Sequence, residues 1–266
     1  MSTTDTLPPE TPAEAKSGGG VVLQRFVSPL RSYYEDALCT IYHGDCREIL
    51  PTLPQAGVII TDPPYLTGAT EITYQHAGVA KRTNPTTTIG MPWGYSLDWL
   101  NLCGVPEHWV VYGNYKMLGG LCTALPPSTV FVWRKSNAPN MTRPVPRLDC
   151  EFIVWSRSES ANCERMGEFK TMVLDVPMPQ AGCMADERLT ENGGKASHPC
   201  QKPLDVVMPF VMRLGDKTYL DPFMGTGTTL LAAKLLGRRA VGIEIEEKYC
   251  EMAARRLAQE CLALGG

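Results

Sequence analysis

Two strand ends in this sequence carry side chains suited to chemistry. In the first, the apolar run Val58–Thr61 stops at Asp62, followed by Pro63, Pro64 and Tyr65. Both prolines have φ fixed, so the turn holds the acid and the Pro63 carbonyl rigidly, two hydrogen-bond acceptors beside an aromatic ring. In the second, Thr218–Leu220 runs into Asp221 and the glycines Gly225 and Gly227, and a helical pattern begins at Thr228. Glycines there let a ligand approach the backbone closely, and a helix start offers free N–H groups. The following strand ends at Glu244. An acid in that place can accept hydrogen bonds from both ribose hydroxyls of a nucleoside. A dinucleotide fingerprint would need a third glycine where Leu230 stands, so that reading fails. Alone, the Asp-Pro-Pro turn also serves to end a strand, and a lone Gly-x-Gly is a common turn. The whole series, strand, glycine loop, helix, strand and acid, is far more specific.

Elements must position these groups. Strands are expected at Cys39–Tyr42, Val58–Thr61, His108–Tyr112, Thr129–Trp133, Phe152–Trp155, Thr218–Leu220 and Ala240–Ile243. Helical patterns cover Met117–Ala124, Leu204–Leu214, Thr228–Leu236 and Glu246–Leu262, with Gly237 a natural stop. This alternation predicts an α/β fold, a mostly parallel sheet with helices on both faces. Asp45, Asp62, Asp221 and Glu244 then fall at or near strand ends, where ligands of open α/β sheets collect. Residues 1–20, rich in Thr, Pro and Gly, read as a flexible tail, leaving 21–266 as one domain. Two long stretches interrupt the alternation, at about 67–98 and 157–197, and loops of that length are usually functional or disordered.

Composition bounds the function. The chain has 266 residues, 44% hydrophobic and 20% charged, with a net charge of −3. That balance is globular and gives no overall electrostatic case for a nucleic-acid partner. Seven basic residues gather between Arg134 and Lys170, diluted by five acids. The ten cysteines form no C-x-x-C pair and the four histidines stand apart from them, so no metal site is expected. With no signal peptide and no apolar run of membrane-spanning length, the reading is a cytoplasmic protein with reduced thiols and no membrane partner.

Five motifs in one order resemble the S-adenosylmethionine-dependent DNA amino-methyltransferases. "DPFMGTGTT" (Asp221–Thr229) looks like the family's cofactor loop, which implies cofactor contacts at Asp221, Phe223, Gly225, Gly227 and Thr228. "GIEIEEKY" (Gly242–Tyr249) looks like the acidic strand end that holds the ribose, at Glu244. "HGDC" (His43–Cys46) resembles the motif whose acid, here Asp45, contacts the adenine of the cofactor. "HPCQKP" (His198–Pro203) resembles the motif lining its methionine end, which carries Lys202. "DPPY" is similar to the catalytic motif, at Asp62, Pro63, Pro64 and Tyr65. The catalytic motif precedes the cofactor loop, as in the family's β class.

The resemblance gives the Asp-Pro-Pro-Tyr turn its chemistry. An exocyclic amine is a poor nucleophile because its lone pair is delocalised into the ring. Asp62 and the Pro63 carbonyl can accept its two hydrogens while it attacks the sulfonium methyl group, and Tyr65 can stack on a base flipped from the duplex. The implied activity is site-specific methylation of the N6 amine of adenine in double-stranded DNA. Cytosine N4 methylation, which uses the same amine chemistry, is the alternative; the family often shows Ser first for cytosine and Asp for adenine, so Asp62 favours adenine. A non-catalytic nucleic-acid-binding module is the remaining alternative. Arg134, Lys135, Arg143 and Arg147 are candidates for phosphate or guanine contacts, and Asn137 for a place near the flipped base. The segment 157–197 is expected to read the target sequence. "PCQ" (Pro199–Gln201) also resembles the nucleophile motif of cytosine C5-methyltransferases, but Cys200 precedes the glycine loop here and is read as a cofactor neighbour. A homodimer and a cognate restriction endonuclease are possible partners.

Overall fold

The computed structural model describes residues 31–64, 97–125, 128–138, 149–158, 171–178, 190–191, 195–196 and 201–263. The expected tail, most of the 67–98 loop, Tyr65, His198 and Cys200 lie outside the described residues.

The strands are β1 (Tyr34–Glu35), β2 (Cys39–His43), β3 (Val58–Thr61), β4 (His108–Gly113), β5 (Ser128–Arg134), β6 (Cys150–Arg157), β7 (Val173–Asp175), β8 (Thr190–Glu191), β9 (Lys195–Ala196), β10 (Tyr219–Asp221) and β11 (Ala240–Glu244). The helices are α1 (Cys46–Ile49), α2 (Trp99–Leu102), α3 (Tyr115–Ala124), α4 (Leu204–Arg213), α5 (Thr228–Leu235) and α6 (Glu247–Ala263). One sheet has the order β1-β2-β11-β10-β3-β4-β6-β5-β7. Its five central strands, β2 to β4 in that order, are all parallel. β6 runs antiparallel between β4 and β5. Each strand expected from the sequence is present, shifted by at most two residues at either end.

Side chains alternate across the sheet with the period of two that a pleated strand imposes. Val58 and Ile60 of β3, and Val110 and Tyr112 of β4, pack on one face with Val206, Phe210, Leu231, Ala253 and Leu257 of α4, α5 and α6. Ile59 and Val111 point to the other face, against Ile49, Trp99, Leu100, Met117 and Leu121 of α1, α2 and α3. Both faces are covered, which is why these strands carry apolar residues at consecutive positions rather than only at alternate ones.

Two features fall outside the sequence reading. α1 and α2 are single turns, too short to show a helical period. β7 arises inside the stretch 157–197 and pairs in parallel with β5, so part of that segment extends the main sheet. The described remainder includes the antiparallel pair β8 and β9.

Gly237 ends α5 as its position suggests. At φ +68° it is left-handed. Its N–H donates to the Lys234 carbonyl at 2.9 Å, and the Arg238 N–H donates to the Ala233 carbonyl at 2.9 Å. These are the two bonds that satisfy the last carbonyls of a helix at a glycine stop.

Lys234, on the same helix, is buried. Its ammonium meets Asp36 at 2.5 Å and donates to the Leu257 carbonyl at 2.9 Å, tying α5 to α6 and to the turn before β2. Burial alone would push the Asp36 carboxyl up. Lys234, the Leu38 and Cys39 amides and the Tyr34 hydroxyl outweigh it and bring the carboxyl down to about 2. Its contribution to stability is therefore complete above the ordinary carboxylate value and is lost as the pH falls toward 2. Truncating Lys234 to alanine strands Asp36 without its cation and should cost about 3 kcal/mol in urea unfolding at neutral pH.

Candidate active site

The winding of the sheet reverses between β10 and β3. From β10 the chain passes through α5 to β11 on one side, while β3 leads to β4 on the other. Such a reversal opens a crevice at the carboxyl ends of the two strands. Both candidate turns lie there, and one hydrogen bond joins them. The Thr61 hydroxyl donates to the Asp221 carboxyl at 2.6 Å, across 160 residues of sequence.

Asp62 follows directly on β3, its side chain about one-fifth exposed. It forms an ion pair with Lys202, from the segment before α4. The Lys202 ammonium is nearly buried and also reaches Glu151 Oε2 of β6 at 3.2 Å. The other Glu151 oxygen takes Lys135 Nζ at 2.5 Å. Lys202 lies 5.7 Å from the centre of the Tyr112 ring and 6.0 Å from that of Trp133, within range of cation–π attraction. Four alternating charges thus cross the carboxyl edge of β3, β4, β6 and β5. Pro63 and Pro64 continue from Asp62, while Tyr65 lies outside the described residues.

Asp221 is fully enclosed. Burial pushes its carboxyl up to about 7, against hydrogen bonds from the Thr61 and Thr229 hydroxyls and the Phe223 amide, with the Asp62 charge adding to the rise. Beyond it, Gly225 and Gly227 hold φ of +52° and +78°. A Cβ on Gly227 would come within 2.9 Å of the Ala253 Cβ, so both the backbone and α6 require glycine there. Phe223 packs edge-on against Trp99, ring centres 5.1 Å apart.

Glu244 ends β11 with one oxygen on the Gly225 N–H and the other on the Glu246 N–H, each at 2.9 Å. Burial raises its carboxyl, and those amides partly offset the rise. Asp45 is close by, because the Gly44 N–H donates to the Glu244 carbonyl at 2.9 Å. Asp45 caps α1 through the Arg47 N–H and is gripped by the Arg47 guanidinium at 2.6 Å. Those hydrogen bonds, led by the Arg47 side chain, hold its carboxyl below the usual range. Two acids on adjacent strand ends beside a left-handed glycine loop fit a nucleoside ligand: one to meet ribose hydroxyls, one to meet a base edge.

Two residues expected at the cofactor also make contacts within the protein. Lys202 pairs with Asp62. The Thr228 hydroxyl donates to the Lys202 carbonyl at 3.1 Å and accepts from Arg256 Nη1 at 3.1 Å. It thereby clamps the Lys202 segment to the start of α5. Asn137 likewise spends its amide on the backbone of Met178, donating at 2.9 Å and accepting at 2.7 Å. This extends the β5–β7 pairing.

The residues missed by sequence reasoning are Glu151, Thr61 and Arg256. Glu151 sits at the start of an ordinary β-strand pattern, and nothing local distinguishes it. Among the described residues Cys39, Cys46, Cys103, Cys122, Cys150 and Cys250 are free thiols, no cluster could hold a metal ion, and no helix is long and apolar enough to cross a membrane.

Comparison with known proteins agrees with this geometry. A family model described as DNA methylase matches residues 127–255. The chain is 29% identical over 269 residues to the Type II methyltransferase M.HinfI of Haemophilus influenzae, covering 86% of this chain and 71% of that one. It is 26% identical over 276 residues to the Type II methyltransferase M.ScaI of Streptomyces caespitosus, covering 88% and 86%. Its fold is similar to that of the M1.HpyAVI–SAM complex, with a TM-score of 0.59 and 24% identity, over 82% of this chain and 100% of that one. Over residues 127–255 the chain is similar to the DNA methylase family of N6/N4 type, and along most of its length to Type II methyltransferases.

Proposed function

We propose that this protein transfers a methyl group from S-adenosylmethionine to the N6 amine of adenine, at a defined sequence in double-stranded DNA. The observation that carries the reading is the joint at the crevice, where Thr61–Asp221 holds the Asp62 turn against the glycine loop. The cofactor supplies an electrophilic methyl group on a sulfonium. Glu244 would hold its ribose, Asp45 its adenine, and the loop from Asp221 and Phe223 through Gly225 and Gly227 its remaining length. Lys202 and Thr228 support this set through the contacts they make on Asp62 and on the start of α5.

The protein's own part in the reaction is acceptance and aim. Asp62 takes one amine hydrogen and the Pro63 carbonyl the other, which localises the nitrogen lone pair for in-line attack. Tyr65 supplies the stacking face for the flipped base. An aspartate at the first position of this motif supports adenine over cytosine. The segments 67–98 and 157–197 are assigned to reading the target. The Type II relatives support pairing with a restriction endonuclease in the cytoplasm, and a homodimer is consistent with the family resemblance.

Methylome sequencing of DNA from cells expressing the protein tests this, with Asp62→Ala as control. N6-methyladenine at one motif, absent from the control, is the expected result. N4-methylcytosine would overturn the choice of base and keep the mechanism.

A Glu244→Gln variant tests the ribose assignment. Hydrogen bonds to a charged acceptor contribute about 1.5–3 kcal/mol each, so cofactor affinity measured by calorimetry should fall about 10- to 100-fold. Unchanged affinity would remove Glu244 from the cofactor site.

A further inference from the structure

We propose that Glu151 is a positioning residue for methyl transfer, acting on Asp62 through Lys202. The proposal rests on the DNA-methylation reading. Its basis is the ladder Lys135–Glu151–Lys202–Asp62, whose members come from four separate parts of the chain. Each Glu151 oxygen is engaged by a different lysine, Oε1 by Lys135 and Oε2 by Lys202. The carboxylate is therefore held in direction as well as in place. Its side chain is only 13% exposed and that of Lys202 only 7%, so water screens the ladder weakly.

Two carboxylates and two ammoniums cancel. That balance matters at the moment of transfer. As the sulfonium gives up its methyl group, positive charge passes to the attacking amine beside Asp62. A Lys202 left to Asp62 alone would oppose that charge and draw Asp62's lone pairs away from the amine. Glu151 shares Lys202 and prevents both effects. Glu151 acts on a charge that appears only during the reaction, so its removal should reduce turnover and leave ligand binding intact.

The test is Glu151→Gln, which keeps shape and removes charge. Single-turnover transfer to a DNA duplex bearing the mapped site is expected to fall about 10- to 100-fold. The dissociation constants for S-adenosylmethionine and for the duplex should stay within about twofold. Glu151→Asp should recover part of the rate. In a Lys202→Met background the Glu151→Gln change should cost little more, because its route to Asp62 is gone. Thermal melts of the cofactor-free proteins should show the same non-additivity, independent of turnover. A Glu151→Gln rate within about twofold of wild type would overturn the proposal. So would a loss confined to binding, or losses that add with Lys202→Met. A wild type that binds cofactor but methylates no DNA would strike the DNA-methylation reading itself, and the positioning role would fall with it.

Discussion

Replacing Asp62 with alanine is expected to lower methyl transfer about a thousandfold, the scale seen when one preorganised partner of a developing charge is removed. Cofactor affinity should survive. The variant keeps Glu244, Asp45 and the glycine loop, none of which the Asp62 carboxylate supports directly. Lys202 loses one partner and retains Glu151 at 3.2 Å, so the buried ammonium is not stranded and the fold should hold. The measurement is a single-turnover assay beside a calorimetric titration of S-adenosylmethionine. Persistent transfer would refute the role given to Asp62. Loss of cofactor binding along with transfer would show instead that the turn holds the crevice together.

Asp221 should make stability depend on pH in the unusual direction for a carboxylate. Its ordinary value is 3.8, and burial lifts it to about 7 in the folded protein. Between those values the folded state keeps a proton that the unfolded chain releases. Stability should therefore fall as the pH rises through this window and level off above it. A rise of about three pKa units corresponds to about 4 kcal/mol across the window. Asp221→Asn preserves an acceptor for Thr61 and Phe223 and removes the titration. Its advantage over wild type should be small at pH 5 and largest at pH 8, read from urea unfolding of the cofactor-free protein. A variant equally destabilised at both would show that Asp221 is ionised throughout.

The elements were largely legible because the central strands are buried on both faces. Val58–Thr61 has a continuous apolar signal with abrupt ends, and the observed strand has the same limits. The glycine loop was legible for a steric reason, since Gly227 faces Ala253 with no room for a Cβ. What escaped was whatever depends on contacts between distant parts of the chain. Lys202 reads as a cofactor contact from its motif, and only the fold shows it reaching Asp62. Asn137 reads as a base contact from its neighbourhood, and only the β5–β7 edge shows where its amide goes. Glu151 gives no local sign of its place, because charge on a strand is common and its partners lie 16 and 51 residues away in the numbering. β7 was hidden for want of length, since three residues cannot display a period.

The joint between Thr61 and Asp221 has a consequence for how the chain comes into being. It closes a loop spanning 160 residues, and β3 and β10 lie side by side at the middle of the sheet. A ribosome that has delivered β3 must deliver all of the chain through β10 before that edge is covered. Contacts this remote in sequence form slowly, because closure entropy is spent before any pairing rewards it. Until then a largely apolar strand waits with one side open, the condition in which nascent chains aggregate or recruit chaperones. At about 5–20 residues per second that wait lasts roughly 10–30 s. Transfer activity, and much of the fold with it, thus waits until β10 and β11 have entered between two strands already made.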